Sequence, residues 1–320
     1  MTQQTMRTAA RGRWAESGTA GAARSRSGKR RPGVVRQPKT GMLFAAPAFI
    51  FVAVFAAFPL GFAVYMSLTN WPLIGSYHFT GVHNYSALGR DPGFIHSVLF
   101  TLLYTGIVTI PILVVGYGLA VLVRANRRGS VFLRTAFFLP YVIGLPTLSY
   151  IVLLELQPNS GAVNWVLAQL HITNGGTAWL VNTDLALAAT CILVIWFASG
   201  LTMVLLLGAM NGISGDLYES ADTLGASWWE KERYVTLPLV RPTIALSLII
   251  SIIGSFLAFN QFFILTQGGP GTSTFTVVMW IYQTAFVDLH VGAAAAMSIV
   301  LVAVVGLISF VQFLLLRNNT

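Results

Sequence analysis

Charge is what this sequence has least of. Only 9% of its 320 residues are Asp, Glu, Lys or Arg, where a soluble domain carries about 25%. With 55% hydrophobic residues, that scarcity places the chain in a lipid bilayer and excludes an ordinary soluble fold. Cysteine is nearly absent. A single Cys191 rules out a disulfide framework or a thiolate metal site, and inside an apolar run it reads as a small packing residue. Acids number only ten and are scattered, as are the five histidines. A membrane-embedded enzyme would need such groups to converge as a nucleophile–base pair. The phosphate cradle G-x-x-x-x-G-K-[ST] is missing as well, so the chain supplies no ATP site of that kind.

What is present is unevenly spread. The net charge of +9 comes from residues 1–40, where ten Lys and Arg face one acid, Glu16. The rest of the chain is balanced, which argues against nucleic-acid binding. This Arg-, Ser- and Gly-rich tail is read as disordered; its composition also fits an organellar transit peptide. Beyond it, six runs meet the roughly 20-residue apolar length that crosses a bilayer: 43–69, 97–123, 135–156, 184–209, 243–266 and 292–316. Glu155 and Asp184 touch their limits and no ionisable residue lies mid-span, which weighs against an ion- or proton-coupled transporter. Pro140, Gly144 and Pro146 predict a kinked or broken third span. Arg124, Arg127, Arg128, Arg134, Lys231, Arg233, Arg241 and Arg317 share one side with the tail, and only Arg90 falls opposite. The positive-inside rule therefore puts both termini and the 210–242 segment in the cytoplasm.

That segment is the polar exception. ESADTLGASWWEKERYVTLPLVRP, Glu219–Pro242, reads as two short helical pieces. Ser214 or Asp216 would cap the first and Ser227 the second. Gly225 is the turn, Pro238 stops the second piece, and Pro242 opens the fifth span. Small residues and two tryptophans suit a protruding docking knob. By composition, an amphipathic helix lying on lipid fits equally.

The motif separates these readings. Glu219-Ser220-Ala221, then Gly225, then nine residues to Val235-Thr236-Leu237-Pro238 resembles the signature loop of binding-protein-dependent ABC importer permeases. That pattern is Glu-Ala-Ala, three residues, Gly, nine residues, Ile, any residue, Leu-Pro. PAFIFVAVFAAFPLGFAVYMSLTNW, FTGVHNYSALGRDPGF, FLPYVIGLPTLSYIVLLELQPNSGAVNWVL and FNQFFILTQGGPGTSTFTVVMWIYQTAF resemble further stretches of the family in the same order, from about residue 42 to 316. The Thr-x-Gly-Gly-Pro at Thr266–Pro270 is similar to the carbohydrate-uptake subgroup, of the maltose or glycerol-3-phosphate type, first permease subunit. The resemblance implies an all-α integral membrane protein with six transmembrane helices, the type I ABC importer transmembrane-domain fold, over residues 41–320. It implies a transport subunit and not an enzyme, in the cytoplasmic membrane of a prokaryote. Its partners would be a second homologous permease, two ATP-binding subunits that hold ATP and magnesium, and an extracytoplasmic solute-binding protein.

The resemblance also assigns residues. Glu219, Ser220, Ala221, Leu224, Gly225, Ala226, Trp229, Glu232, Leu237 and Pro238 would dock on and couple to the ATPase. Phe259 and Asn260, with Gln261 beside them, would line the solute path; Tyr104 and Trp196 are further candidates, and interhelical hydrogen bonding is the alternative role. Three positions depart from the family: Ser220 for the first Ala, Leu224 where Asp is frequent before the Gly, and Glu232 where a Phe packs on the ATPase. Glu232 is expected either to meet a matched partner surface or to mark a knob seated differently. The loops around Trp71, Asn84–Asp91, Gln157–Asn164 and Gly268–Thr274 are expected to receive the binding protein. A sugar is the expected solute, with glycerol-3-phosphate or a polyol as the alternative; the absence of mid-span Lys and Arg favours a neutral one.

Overall fold

A computed structural model describes residues 38–72, 74–125 and 129–317; the basic tail through residue 37 lies outside them. Two units, Met1–Ala53 and Val54–Thr320, divide the chain. The first contributes α1 (Pro38–Val52), which begins three residues before the predicted boundary at 41. A π-helical stretch, Ala53–Ala57, passes into the second. There follow α2 (Phe58–Ser67), α3 (His83–Leu88), α4 (Pro92–Arg124), α5 (Ser130–Ile143), α6 (Leu145–Glu155), α7 (Ala162–Gln169) and α8 (Thr183–Asn211). After these come α9 (Gly215–Thr223), α10 (Trp228–Lys231), a π-helical turn Glu232–Thr236, α11 (Leu237–Phe256), α12 (Asn260–Leu265), α13 (Val277–Tyr282), a π-helical turn Gln283–Val287 and α14 (Val291–Arg317). Besides helices, the described residues form only two isolated bridges, Thr69–Phe79 and Pro72–His290. Hydrocarbon offers no hydrogen bonds to a backbone, and helices satisfy theirs internally.

Five stretches are long and apolar enough to span a bilayer: Phe44–Ser67, Pro92–Arg124, Thr183–Asn211, Trp228–Leu265 and Val291–Leu314. The pair α5 and α6, bent by 101°, makes a sixth when counted as one span. The break falls at Gly144, whose φ of +91° is open to glycine and strained for other residues, and Pro146 sits in the first turn of α6. The expected kink or break is present as this bend at Gly144. α4 starts at Pro92, five residues before the apolar run does, because Asp91 Oδ1 accepts from Gly93 N at 2.9 Å and Phe94 N at 3.2 Å. Capping, not hydropathy, sets that end.

Two expectations for the fifth span are corrected. Pro238 does not stop a helix and Pro242 does not open one: helical turns run from Trp228 through Lys231, the π-helical residues and α11 to Phe256. Pro238 falls in the first turn after the wide π segment. A π-bulge already shifts the backbone hydrogen-bond pattern there, so the missing N–H does not end the chain of turns. Farther on, Phe259–Gln261 do not sit in an unbroken helix. The chain breaks after Phe256, Phe259 takes the N-cap position with φ −138° and ψ −62°, and α12 restarts at Asn260.

α4 packs along α8, and the two form the centre of the bundle with α11. Tyr104, Val108 and Ile112 meet Cys191, Val194 and Phe262 in one cluster; Ala120 and Val123 meet Met203, Leu206, Met210 and Val240 in another. Lipid tails are as apolar as Leu, so burial alone does not hold helices together in a membrane; close fit and polar ties do. Thr101 illustrates one such tie, its Oγ1 accepting from Val277 N at 3.0 Å while donating to Ser97 O at 2.7 Å.

Candidate coupling knob and translocation cavity

The polar segment is a rigid helix–turn–helix. α9 ends in a two-bond lock: Gly225 N donates to Asp222 O and Ala226 N to Ala221 O, each at 3.0 Å. This is the Schellman arrangement, which calls for a left-handed residue just past the cap, and Gly225 supplies it with φ +76°. Ser227 then caps α10 reciprocally. Its Oγ accepts from Glu230 N at 3.3 Å, while Glu230 Oε2 accepts from Ser227 N at 2.7 Å. Ser214 holds the N-cap position of α9 but makes no side-chain bond there. Lys231 Nζ reaches Asp222 Oδ1 at 2.6 Å and ties the two arms across the turn.

The knob's outer face carries most of the expected docking residues. Leu224 at the tip is 87% exposed. Trp228 and Trp229 are exposed with their rings 5.6 Å apart, and Glu219, Ser220 and Gly225 are exposed beside them. Ala221 and Ala226 are half-buried. Leu237 and Pro238, both exposed, begin α11.

Glu232 is not on that face. It is 9% exposed, and its Oε1 accepts a hydrogen bond from Tyr117 Oη of α4 at 2.5 Å. Neither expectation for Glu232, a matched partner surface or a knob seated differently, included this internal contact. On the π-helical turn the side chain faces the bundle, where Tyr117 meets it. A second clasp lies next to it. Tyr218 of α9 bonds Thr236 through their hydroxyls at 2.9 Å, and the Arg124 guanidinium stands over the Tyr218 ring at 4.5 Å. Arg124 also makes a long 3.5 Å bond to Thr236 Oγ1. Tyr117 and Tyr218 were not singled out from the sequence, Arg124 entered only as an orienting charge and Thr236 only as part of the signature motif. The available signal was the seven-residue spacing of Tyr117 and Arg124, which puts two polar-tipped side chains on one face of an apolar helix.

Within the bundle, a cavity of about 450 Å³ is lined by Tyr141, Phe197, Thr202, Ser251, Ser255 and Gln261, among others. Gln261 is 2% exposed. Its Nε2 donates to Tyr104 Oη at 3.2 Å, while its Oε1 has no partner. Tyr104 is fully buried behind it, edge-on to Phe262. Phe259 stacks on Phe263 at 4.9 Å and leans on Tyr282 at 5.4 Å. Asn260 is exposed at the start of α12. Of the five expected path residues, Gln261 lines this cavity, whereas Tyr104, Phe259, Asn260 and the 43% exposed Trp196 do not. The hydroxyls of Ser251, Ser255 and Thr202 were not predicted. They recur on apolar helices where serine and threonine are ordinary packing residues, which hides them from a reading by type alone.

Apolar spans, a half-open, largely apolar cavity bearing a few polar side chains, and a protruding polar knob are the features of a multi-pass membrane protein. The family model described as "Binding-protein-dependent transport system inner membrane component" matches residues 86–318, and the chain belongs to that family: it is a multi-pass permease of a binding-protein-dependent ABC transport system. Over 281 residues it is 31% identical to the sulfoquinovosyl glycerol transport system permease protein of Agrobacterium fabrum, covering 87% of this chain and 90% of that one. It is 30% identical to the lactose transport system permease protein of Rhizobium radiobacter, covering 87% and 94%. A crystal structure of a bacterial alginate ABC transporter, in complex with its alginate pentasaccharide-bound periplasmic protein, holds a chain with the same fold. Its TM-score is 0.74 at 22% identity, covering 86% of this chain and 93% of that one.

Proposed function

We propose that this chain is the sugar-conducting permease subunit of an ATP-driven importer, with both termini and the knob on the cytoplasmic side. A second permease completes the pore, two ATPase subunits hold ATP and magnesium, and an external binding protein delivers the solute. In this reading the outer face of the knob, from Glu219 to Trp229, seats on an ATPase subunit and passes its closure to the spans. Gln261, Tyr104, Phe259 and Asn260 mark the solute path.

Gln261 carries the argument for a polyhydroxyl cargo. An unpaired buried amide oxygen costs roughly 1–3 kcal/mol, more than the ~0.6 kcal/mol that an interhelical hydrogen bond returns in a membrane. Packing alone therefore leaves its placement unexplained, whereas a passing hydroxyl donor would satisfy Oε1. The serine, threonine and tyrosine hydroxyls and the Phe197 ring around the same cavity suit a sugar's edges and faces. No Lys or Arg lines it, so a neutral sugar is favoured over glycerol-3-phosphate. The relatives named for lactose and for sulfoquinovosyl glycerol agree with a glycoside. Mass spectrometry of the solute retained by the purified cognate binding protein tests this: a neutral saccharide is expected, and a phosphorylated polyol or an amino acid would contradict it.

A further inference from the structure

We infer that Tyr117 and Glu232 form a latch that makes α4 move with the knob; the inference rests on the proposed coupling role. The α10–α11 helical run carries knob motion directly into the fifth span, because the turns are unbroken from Trp228 to Phe256. α4 has no such covalent path. Among the described residues, its polar ties to the knob are side-chain contacts: Tyr117 Oη to Glu232 Oε1, and Arg124 to Tyr218 and Thr236. Of these, the Tyr117–Glu232 bond has the character of a mechanical tie. A hydroxyl on a carboxylate is charge-assisted and short, and Glu232 is 9% exposed, so little water competes for it. The Tyr117 ring is partly buried against the cluster of Ala120, Val123, Leu206 and Val240. A buried carboxylate is costly to leave unpaired, so separating α4 from the π-helical turn is opposed and the two shift together. α4 in turn packs on α8, and Gln261 bonds Tyr104 of α4. The latch thereby adds a side-chain route through α4 to the two covalent ones, through α11 and through α8, whose last residue, Asn211, stands just before α9. Tyr117 and Glu232 are positioning residues: neither meets nucleotide or solute.

The test uses the assembled transporter in nanodiscs, with the binding protein as purified carrying its retained solute. Three quantities are read: capture of the ATPase subunits, basal ATP hydrolysis, and the fold stimulation of hydrolysis by loaded binding protein. Tyr117→Phe is expected to leave capture and basal hydrolysis intact and to cut stimulation by about tenfold, within the range that coupling between sites spans. Glu232→Gln, which keeps an acceptor for Tyr117 Oη, should retain most of the stimulation. The double variant Tyr117→Phe/Glu232→Leu leaves no buried carboxylate unpaired and should stay as low as Tyr117→Phe. Full stimulation in Tyr117→Phe, or its recovery in the double variant, would overturn the latch. So would a loss of stimulation matched by an equal loss of capture, which would return Glu232 to the docking surface. If the unmutated chain captured no ATPase subunit, the proposed function itself would fail and the latch with it.

Discussion

At Gly225 the backbone holds φ +76° although nothing lies within 4 Å of where a Cβ would stand. The constraint is conformational, not steric, so size matters less than the loss of glycine itself. Any L-residue there strains the turn by about 1 kcal/mol or more and loosens the Schellman lock that sets the angle between α9 and α10. Gly225→Leu is expected to reduce uptake to background while the protein inserts at normal levels, as read by solute uptake beside immunoblots of membranes. Gln261 makes the opposite case, a residue whose side chain matters. Gln261→Leu removes the unpaired Oε1 and the bond to Tyr104. It should lower uptake by roughly tenfold, the scale of one lost hydrogen bond to a cargo hydroxyl, with capture of the ATPase subunits unchanged. An uptake equal to the unmutated chain would make Gln261 a packing residue.

Among elements, the knob was the most legible part of the sequence and α4 the least. Gly225 and the Ser227 cap could be read because turn and cap chemistry is local: φ > 0 needs glycine, and a serine hydroxyl three residues before Glu230 completes a capping box. Pro238 was misread for the same reason. Local rules give proline as a stop, and only the π-helical turn before it shows how the helix runs on. Glu232 was noticed as a departure, but its direction could not be known, since a π turn rotates the side chains that follow a regular helical count. Tyr117 lies 115 residues away, beyond any local rule. The knob's internal ties can be ranked by experiment. Losing the reciprocal cap in Ser227→Ala should cost about 1 kcal/mol, which is about fivefold in affinity for the ATPase subunit. Lys231→Ala breaks an ion pair whose partner Asp222 is 58% exposed, and such pairs contribute about 0–1 kcal/mol, so its effect should be smaller. Titration of ATPase-subunit binding reads both; the reverse order would contradict the cap's role in the knob.

On the scale of the whole molecule, the hydropathy runs located every span, because apolar length decides which stretches cross a bilayer, but the fifth helical run begins at Trp228, well before the apolar stretch expected from 243. They did not give the 101° break in the third span its sharpness, nor the interruption at Leu257–Phe259, where packing on neighbouring helices overrides composition. The cavity was least legible. Its lining comes from α4, α5, α6, α8, α11 and α12, and no single stretch of sequence carries the pattern. Orientation follows from the distribution of Lys and Arg and can be checked by thiol labelling in a Cys191→Ala background. Ser220→Cys on the knob should react only in inverted vesicles and Ser86→Cys only in right-side-out ones; the reverse would turn the molecule over.

The claim on which the rest depends is that the knob's tip receives an ATPase subunit. A photo-crosslinking amino acid placed at Leu224, the tip position at 87% exposure, and separately at Trp165 on α7, 65% exposed, tests it in the assembled transporter. The account predicts an adduct with the ATPase subunit from position 224 and none from 165. No adduct from position 224, or equal adducts from both, would contradict it.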